Sequence, residues 1–285
     1  METRILDEGD AGDLADFLTP RIETSLFLRN NSLHSGLVDR GGPFHGTYAG
    51  AFEAGALVGV AAHYWNGMIL LQAPGCARAL ARFALDASSY PLAGVIGPLR
   101  QTIEALSALE IERSSLRRDS PERLFSLALA ELIRPEARDG QYLEGRPAQK
   151  ADISQLMEWR LAYDHELMNT PPTPEHRERV IDGVERQIAA QAIYVLSDHD
   201  TLVSMTAFNA EIPDIVQIGG VWTPPHLRGR GYARGAVARH LATARERGIE
   251  KAILFTGYEN IAAQRAYIAL GFEQIGDYGM MILGD

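Results

Sequence analysis

The run from Val221 through Trp222, Thr223, Pro224, Pro225, His226, Leu227, Arg228, Gly229, Arg230, Gly231 and Tyr232 to Ala233 ends an apolar stretch, turns through two prolines and two glycines, and opens a second apolar stretch of helical period. Glycines in such a turn let backbone approach a ligand closely. The first N–H groups of the helix that follows have no partner within it and sit at the positive end of its dipole. The chemistry this permits is anion binding, phosphate above all; a glycine turn satisfied by water is the plain alternative. Further on stand Asn260, Ala263, Tyr267, Gly271 and Phe272. Asn260 and Tyr267 are about two helical turns apart, so both side chains can share one face. A phenol so placed can deliver a proton, and it can equally be a packed core tyrosine.

Periodicity and turn residues supply the elements that must hold these groups. In the second half, Ile153, Leu156, Met157, Arg160 and Leu161 follow helical spacing behind Asp152 as N-cap, and residues 175–190 predict a second helix after Pro171, Pro172 and Pro174. Strands are predicted at 192–197, 202–208 and 215–223, then a helix at 232–247 stopped by Gly248, a strand at 252–256, a helix at 261–270, and a last strand or two within 272–283. The first half repeats this order, with strands at 47–53, 56–64, 68–71 and 92–96 and helices at 77–87 and 101–109. A polar Gly/Pro stretch from Arg138 to Pro147 separates the halves, giving expected domains 1–145 and 146–285. Internal duplication is the expectation, and chance α/β alternation is the alternative.

Composition removes other classes. The chain has 285 residues, 46% hydrophobic and 22% charged, which suits about two globular domains. Its formal charge of −10 opposes nucleic acid and anionic membrane, and no apolar run is long enough to span a bilayer. One cysteine, Cys76, excludes an intrachain disulfide and any zinc site built on cysteines, and points to a cytoplasmic protein. Lys150 and Lys251, the two lysines, are each followed by alanine, so there is no P-loop; HExxH and G-x-S-x-G are also missing, and no metal site is expected.

Taken together, the two motifs resemble the GNAT superfamily of acetyl-CoA-dependent N-acetyltransferases. Arg228, Gly231 and Ala233 match its R/Q-x-x-G-x-G/A signature; Asn260, Ala263, Tyr267, Gly271 and Phe272 match its N-x-x-A-x-x-x-Y-x-x-x-G-F stretch. The resemblance covers the second half and implies an α/β (α+β) fold of two GNAT-like domains, each a mixed, mostly antiparallel sheet flanked by helices. The first is degenerate, because Ala73-Pro74-Gly75-Cys76 replaces the glycine turn. It implies acetyl-CoA as cosubstrate, with pyrophosphate on the amides of Arg228, Gly229, Arg230, Gly231, Tyr232 and Ala233. The pantetheine arm would run along Val221, Trp222 and Thr223, with Asn260 and Ala263 facing the cofactor. Val221 N–H would serve the oxyanion, and Tyr267 the leaving thiolate.

One position departs from the family. Many members carry a glutamate base on the strand before the motif, where this chain has Gln217. An amide cannot take the proton, although it can order a water. Glu211, Asp214, Asp164 and Glu166 are the carboxylates left as candidates, and each also reads as an ordinary surface acid; His226 reads as a turn residue. The implied reaction is acetyl transfer to a primary amine of a small molecule or peptide by direct attack in a ternary complex. A CoA-binding regulator without turnover is the competing class. A nicotinamide-dinucleotide site fails because Arg234 occupies the position of its third glycine, and an RNA-binding reading lacks aromatic platforms.

Overall fold

An arginine on a short strand and an aspartate six residues on, at the start of a helix, open each half of the chain. In the first, Arg4 Nη1 donates to Asp10 at 2.7 Å while Asp7 N–H donates to the same carboxylate at 2.9 Å. In the second, Arg146 grips Asp152 at 2.7 and 2.9 Å while Gln149 N–H donates to it at 2.8 Å. Two identical clamps at equivalent places mark a structural repeat. The paired arginine's hydrogen bond holds each aspartate below the usual carboxylate range. A depressed native value stabilises the fold above the unfolded carboxyl's pKa of about 3.9, and that contribution is lost as pH falls through the native value. Asp152→Asn is therefore expected to cost about 1–2 kcal/mol at pH 7, discounted for the half-exposed arginine, and progressively less toward pH 3. Urea unfolding at the two pH values checks this; an equal loss at both would assign the effect to something other than the charge.

The computed structural model describes residues 1–284. The first repeat runs β1 (Glu2–Ile5), α1 (Ala11–Leu18), α2 (Ile22–Ser35), β2 (Gly46–Glu53), β3 (Ala56–Tyr64), β4 (Met68–Gln72), α3 (Ala77–Asp86), β5 (Gly94–Pro98), α4 (Leu99–Ala108) and β6 (Leu116–Ala128). The second runs β7 (Leu143–Pro147), α5 (Ile153–Met168), α6 (Pro174–Ala189), β8 (Ile193–Asp198), β9 (Thr201–Ile212), β10 (Ile215–Trp222), α7 (Tyr232–Glu246), β11 (Lys251–Gly257), α8 (Ile261–Ile268) and β12 (Glu273–Leu283). The elements expected from periodicity are present within a few residues of their ends. Sequence patterning gave no bounds for α1 and α2 and missed β1, β6 and β7. The last of these runs through residue 145, where the domain boundary was expected.

The chain forms two compact units. One comprises Met1–Leu124, Gly257–Glu259 and the segment from Ile275 onward; the other comprises Phe125–Thr256 and Asn260–Gln274. Their composition differs from a division at 145/146 because the repeats exchange their final strands. In the first unit the sheet order is β1-β2-β3-β4-β5-β12, with β12 antiparallel to β5 from Tyr278 opposite Pro98 to Ile282 opposite Gly94. In the second unit the order is β11-β10-β9-β8-β7, with the end of β6 from Phe125 onward beside β11. Parallel pairing occurs at β4/β5 and at β10/β11.

Each sheet is covered on both faces. In the second unit Leu156, Trp159, Val180 and Val184 of α5 and α6 cover one face together with Met205 and Trp222. Val237, Leu241 and Ala244 of α7 and Leu270 cover the other, against Val216, Ile218 and Leu254. Helical period places Ala233, Ala236, Val237, His240, Leu241 and Ala244 on one face of α7; all but the half-buried Ala233 are buried. Thr173 caps α6 by accepting from His176 N–H, and Pro174 takes the first helical position, where no N–H is needed. Cys76 is buried at the start of α3, and burial pushes its thiol up. Among the described residues no helix is long and apolar enough to cross a membrane, and no cluster of side chains could hold a metal ion.

Candidate functional site

Strands β10 and β11 pair only from Ile215 opposite Lys251 to Gln217 opposite Ile253. Beyond Gln217, β10 slips register against β9 twice, between Gln217 and Ile218 and between Gly219 and Trp222. Two residue types make this possible. A Cβ at Gly219 would collide with the Asn209 side chain, and Gly220 adopts φ +57°, which L side chains rarely hold. The second slip leaves Gly220 and Val221 without register partners on β9. Ser204, fully buried, then secures the strand end by donating to Trp222 O at 2.9 Å and sharing a 2.9 Å hydrogen bond with Thr223 Oγ1.

The turn follows at once. Leu227 N–H donates to Pro224 O and Arg228 N–H to Pro225 O, at 2.9 and 3.3 Å. Gly229 and Gly231 take φ of +78° and +87°, and a Cβ on either would meet nothing within 4 Å. These glycines serve backbone conformation and leave open space in front of the turn. Gly231 is the N-cap of α7, and the first amide to close back is Gly235 N–H onto Gly231 O at 2.9 Å. The amides of Tyr232, Ala233 and Arg234 precede it, in the first turn that a helix cannot pair internally.

Several side chains expected at a cofactor are engaged elsewhere. Arg228, whose amide was expected on an anion, gives that N–H to Pro225 O; its guanidinium holds both oxygens of Glu166 at 2.8 and 2.9 Å and Thr223 O at 3.1 Å. It also lies 4.8 Å over the ring of Trp222, which is buried in the core under α5. Arg228 thus pins the turn to α5 and strand end. The Tyr232 hydroxyl donates to Asp198 at 2.5 Å, and this bond holds the carboxyl of Asp198 below its ordinary range. Arg230 O accepts from Gln141 at 3.1 Å. Asn260, expected to face the cofactor with Ala263, uses its Oδ1 to cap α8 through Ala263 N–H at 3.2 Å.

Tyr267 is half-buried near the end of α8, edge-on to Phe272 at 6.0 Å, and its carbonyl accepts from Leu270 and Phe272 N–H. Gly271, φ +97°, leads the chain past Glu131 O, where a Cβ would stand at 3.0 Å. Gln217 is 1% exposed; its Nε2 donates to Ile218 O at 2.6 Å, and its Oε1 has no partner among the described residues. Three of the four candidate carboxylates are tethered, and the fourth, Asp214, is exposed on the turn before β10. Glu211 pairs with Arg247 at 2.8 Å, Asp164 with Arg160 at 3.0 Å, and Glu166 with Arg228. Arg160 and His176, whose Nε2 lies 3.1 Å from Asp164 Oδ2, are neighbours of the strand end that sequence reading passed over. The i,i+4 spacing of Arg160 and Asp164 was the available signal for the first.

The first repeat lacks this geometry. Past the paired segment β4 and β5 stay together, since a Cβ on Gly97 would stand 2.7 Å from Leu71 O. Ala73 N–H, after β4, is taken by Gln101 Oε1 of α4 at 2.6 Å. Only Ala73 to Cys76 separate β4 from α3, with Pro74 among them.

Residues 154–272 match the acetyltransferase (GNAT) family model. Whole-chain similarity extends to a GCN5-related N-acetyltransferase from Sphaerobacter thermophilus at 15% identity and TM-score 0.63, covering 98% of this chain and 94% of that one. A tandem GNAT protein from the clavulanic acid biosynthesis pathway is similar at 12% identity and TM-score 0.60, covering 98% and 97%. A GNAT-family acetyltransferase from Colwellia psychrerythraea is similar at 14% identity and TM-score 0.54, covering 99% and 100%. These likenesses establish the fold over both repeats. No curated protein matches the chain at a significant level.

Proposed function

We propose that the second repeat transfers the acetyl group of acetyl-CoA to a primary amine of a small molecule or peptide, by direct attack within a ternary complex. The observation that carries this reading is the parting of β10 from β11 after Gln217, which leads straight into the open turn of Gly229 and Gly231. The amides of Gly229, Arg230, Gly231, Tyr232 and Ala233 would bind pyrophosphate, and the main chain of Val221 with Thr223 N–H would align the pantetheine arm. Thr223 O already accepts from Arg228. When bound, acetyl-CoA supplies an activated thioester. Val221 N–H would polarise the carbonyl, and the Tyr267 hydroxyl would deliver a proton to the departing sulfur.

Removing a proton from the acceptor is the harder task. An alkylammonium of pKa about 10.4 is neutral in roughly one molecule per thousand at pH 7, a handicap of about 4–5 kcal/mol. Gln217 cannot accept that proton, although its buried Oε1 can hold a water or an amine N–H. The tethered carboxylates favour a second reading, a CoA-binding protein without turnover. Thiol release from acetyl-CoA in the presence of an amine panel separates the two. Binding itself is expected to raise the melting temperature, since a ligand at about 100 times its dissociation constant adds roughly 2.7 kcal/mol. Calorimetry is expected to give one site per chain, because Gln101 and Pro74 close the first repeat's equivalent. Two sites, or an unmoved melting temperature at millimolar acetyl-CoA, would defeat this assignment.

A further inference from the structure

Arg160 is a cation that the proposed reaction does not use. It projects from α5 beside β10, where its Nη1 would stand 3.7 Å from a Cβ on Gly220, the residue before Val221. Its Nε edge is fixed by Asp164, 3.0 Å away and 7% exposed, and the guanidinium lies 5.2 Å over the ring of Tyr163. The Arg160 side chain is 32% exposed, and its two Nη groups have no hydrogen-bond partner among the described residues. One edge of the fork is therefore held rigid, while the other is presented at the strand segment where acetyl transfer is proposed. A rigid guanidinium edge offers two parallel N–H donors, the match for a carboxylate.

We propose that Arg160 recognises a carboxylate on the acceptor, so that the acceptors of this protein are amines that carry one: free amino acids or peptides whose terminal carboxylate lies close to the amine. The inference rests on the acetyl-transfer reading. Asp164 already balances one unit of charge, which suits a monoanion better than a doubly charged phosphate.

The test uses the full chain, acetyl-CoA, and a panel of α-, β- and ω-amino acids and dipeptides, each paired with its C-terminal amide, followed by thiol release. Carboxylates are expected to exceed their amides in kcat/KM by about tenfold or more. Arg160→Gln is expected to lower kcat/KM for the carboxylates by about 10–100-fold through KM, with the amides and acetyl-CoA affinity unchanged, and Arg160→Lys to restore part of the loss. Equal use of carboxylates and amides, or an equal fall for both in the variant, overturns the proposal. Release with neither series also overturns it, and if calorimetry then shows no acetyl-CoA binding, the transfer reading falls separately. Should Arg160→Gln fail to fold, the wild-type comparison still decides.

Discussion

Gly231→Asp is expected to abolish acetyl-CoA binding while leaving the protein folded. At φ +87° the backbone tolerates aspartate better than most residues, at about 1–2 kcal/mol, and no atom stands within 4 Å of the new Cβ. A loss of that size moves the melting temperature by a few degrees. The carboxylate, however, would enter the space in front of the first-turn amides and set a negative charge against a phosphate. A fall of at least about 10²-fold in affinity, near 2.7 kcal/mol, is the expected calorimetric result. Gly231→Asn, of the same shape without the charge, should lose less. Wild-type affinity in the aspartate variant would place the pyrophosphate elsewhere.

Tyr267→Phe should reduce turnover by about 10²–10⁴-fold and change acetyl-CoA affinity little, because the phenol is proposed to act on a charge that develops only as the thioester breaks. The ring would still lie edge-on to Phe272. The two roles separate cleanly, since a hydroxyl needed for packing would show as lost stability with turnover kept. Pre-steady-state kinetics with a good acceptor ensures that the chemical step is the one compared.

Motif spacing located the glycine turn and its helix, because both rest on local rules: a φ that favours glycine, unpaired first-turn amides and a period of 3.6. Local rules also explain part of what looked functional. Asn260 and Ala263 are a helix cap, and Arg228 is a brace between Glu166, Trp222 and Thr223. Cofactor binding does not follow from the presence of such residues, because the same types satisfy the needs of the turn itself. β6 escaped notice because Arg117, Arg118, Asp119, Pro121 and Glu122 break any alternation over Leu116–Ala128. The clamps at Asp10 and Asp152 and the exchange of β6 and β12 depend on partners chosen in three dimensions. Hydrophobic pattern carries no record of which strand a strand will meet. Gln217 was legible as a departure in type; the bulge beside it was not.

The exchanged strands also govern the order in which the protein can be made. The strand that completes the first unit's sheet beside β5 is β12, which follows every other element of the second repeat, so Gly94–Pro98 waits with an open edge while nearly all of that repeat emerges. The second unit meets its borrowed strand in the opposite order, since β6 precedes β11 in the sequence. A cut near residue 145 would yield two fragments that each hold the other's final strand, partners for complementation rather than independent domains.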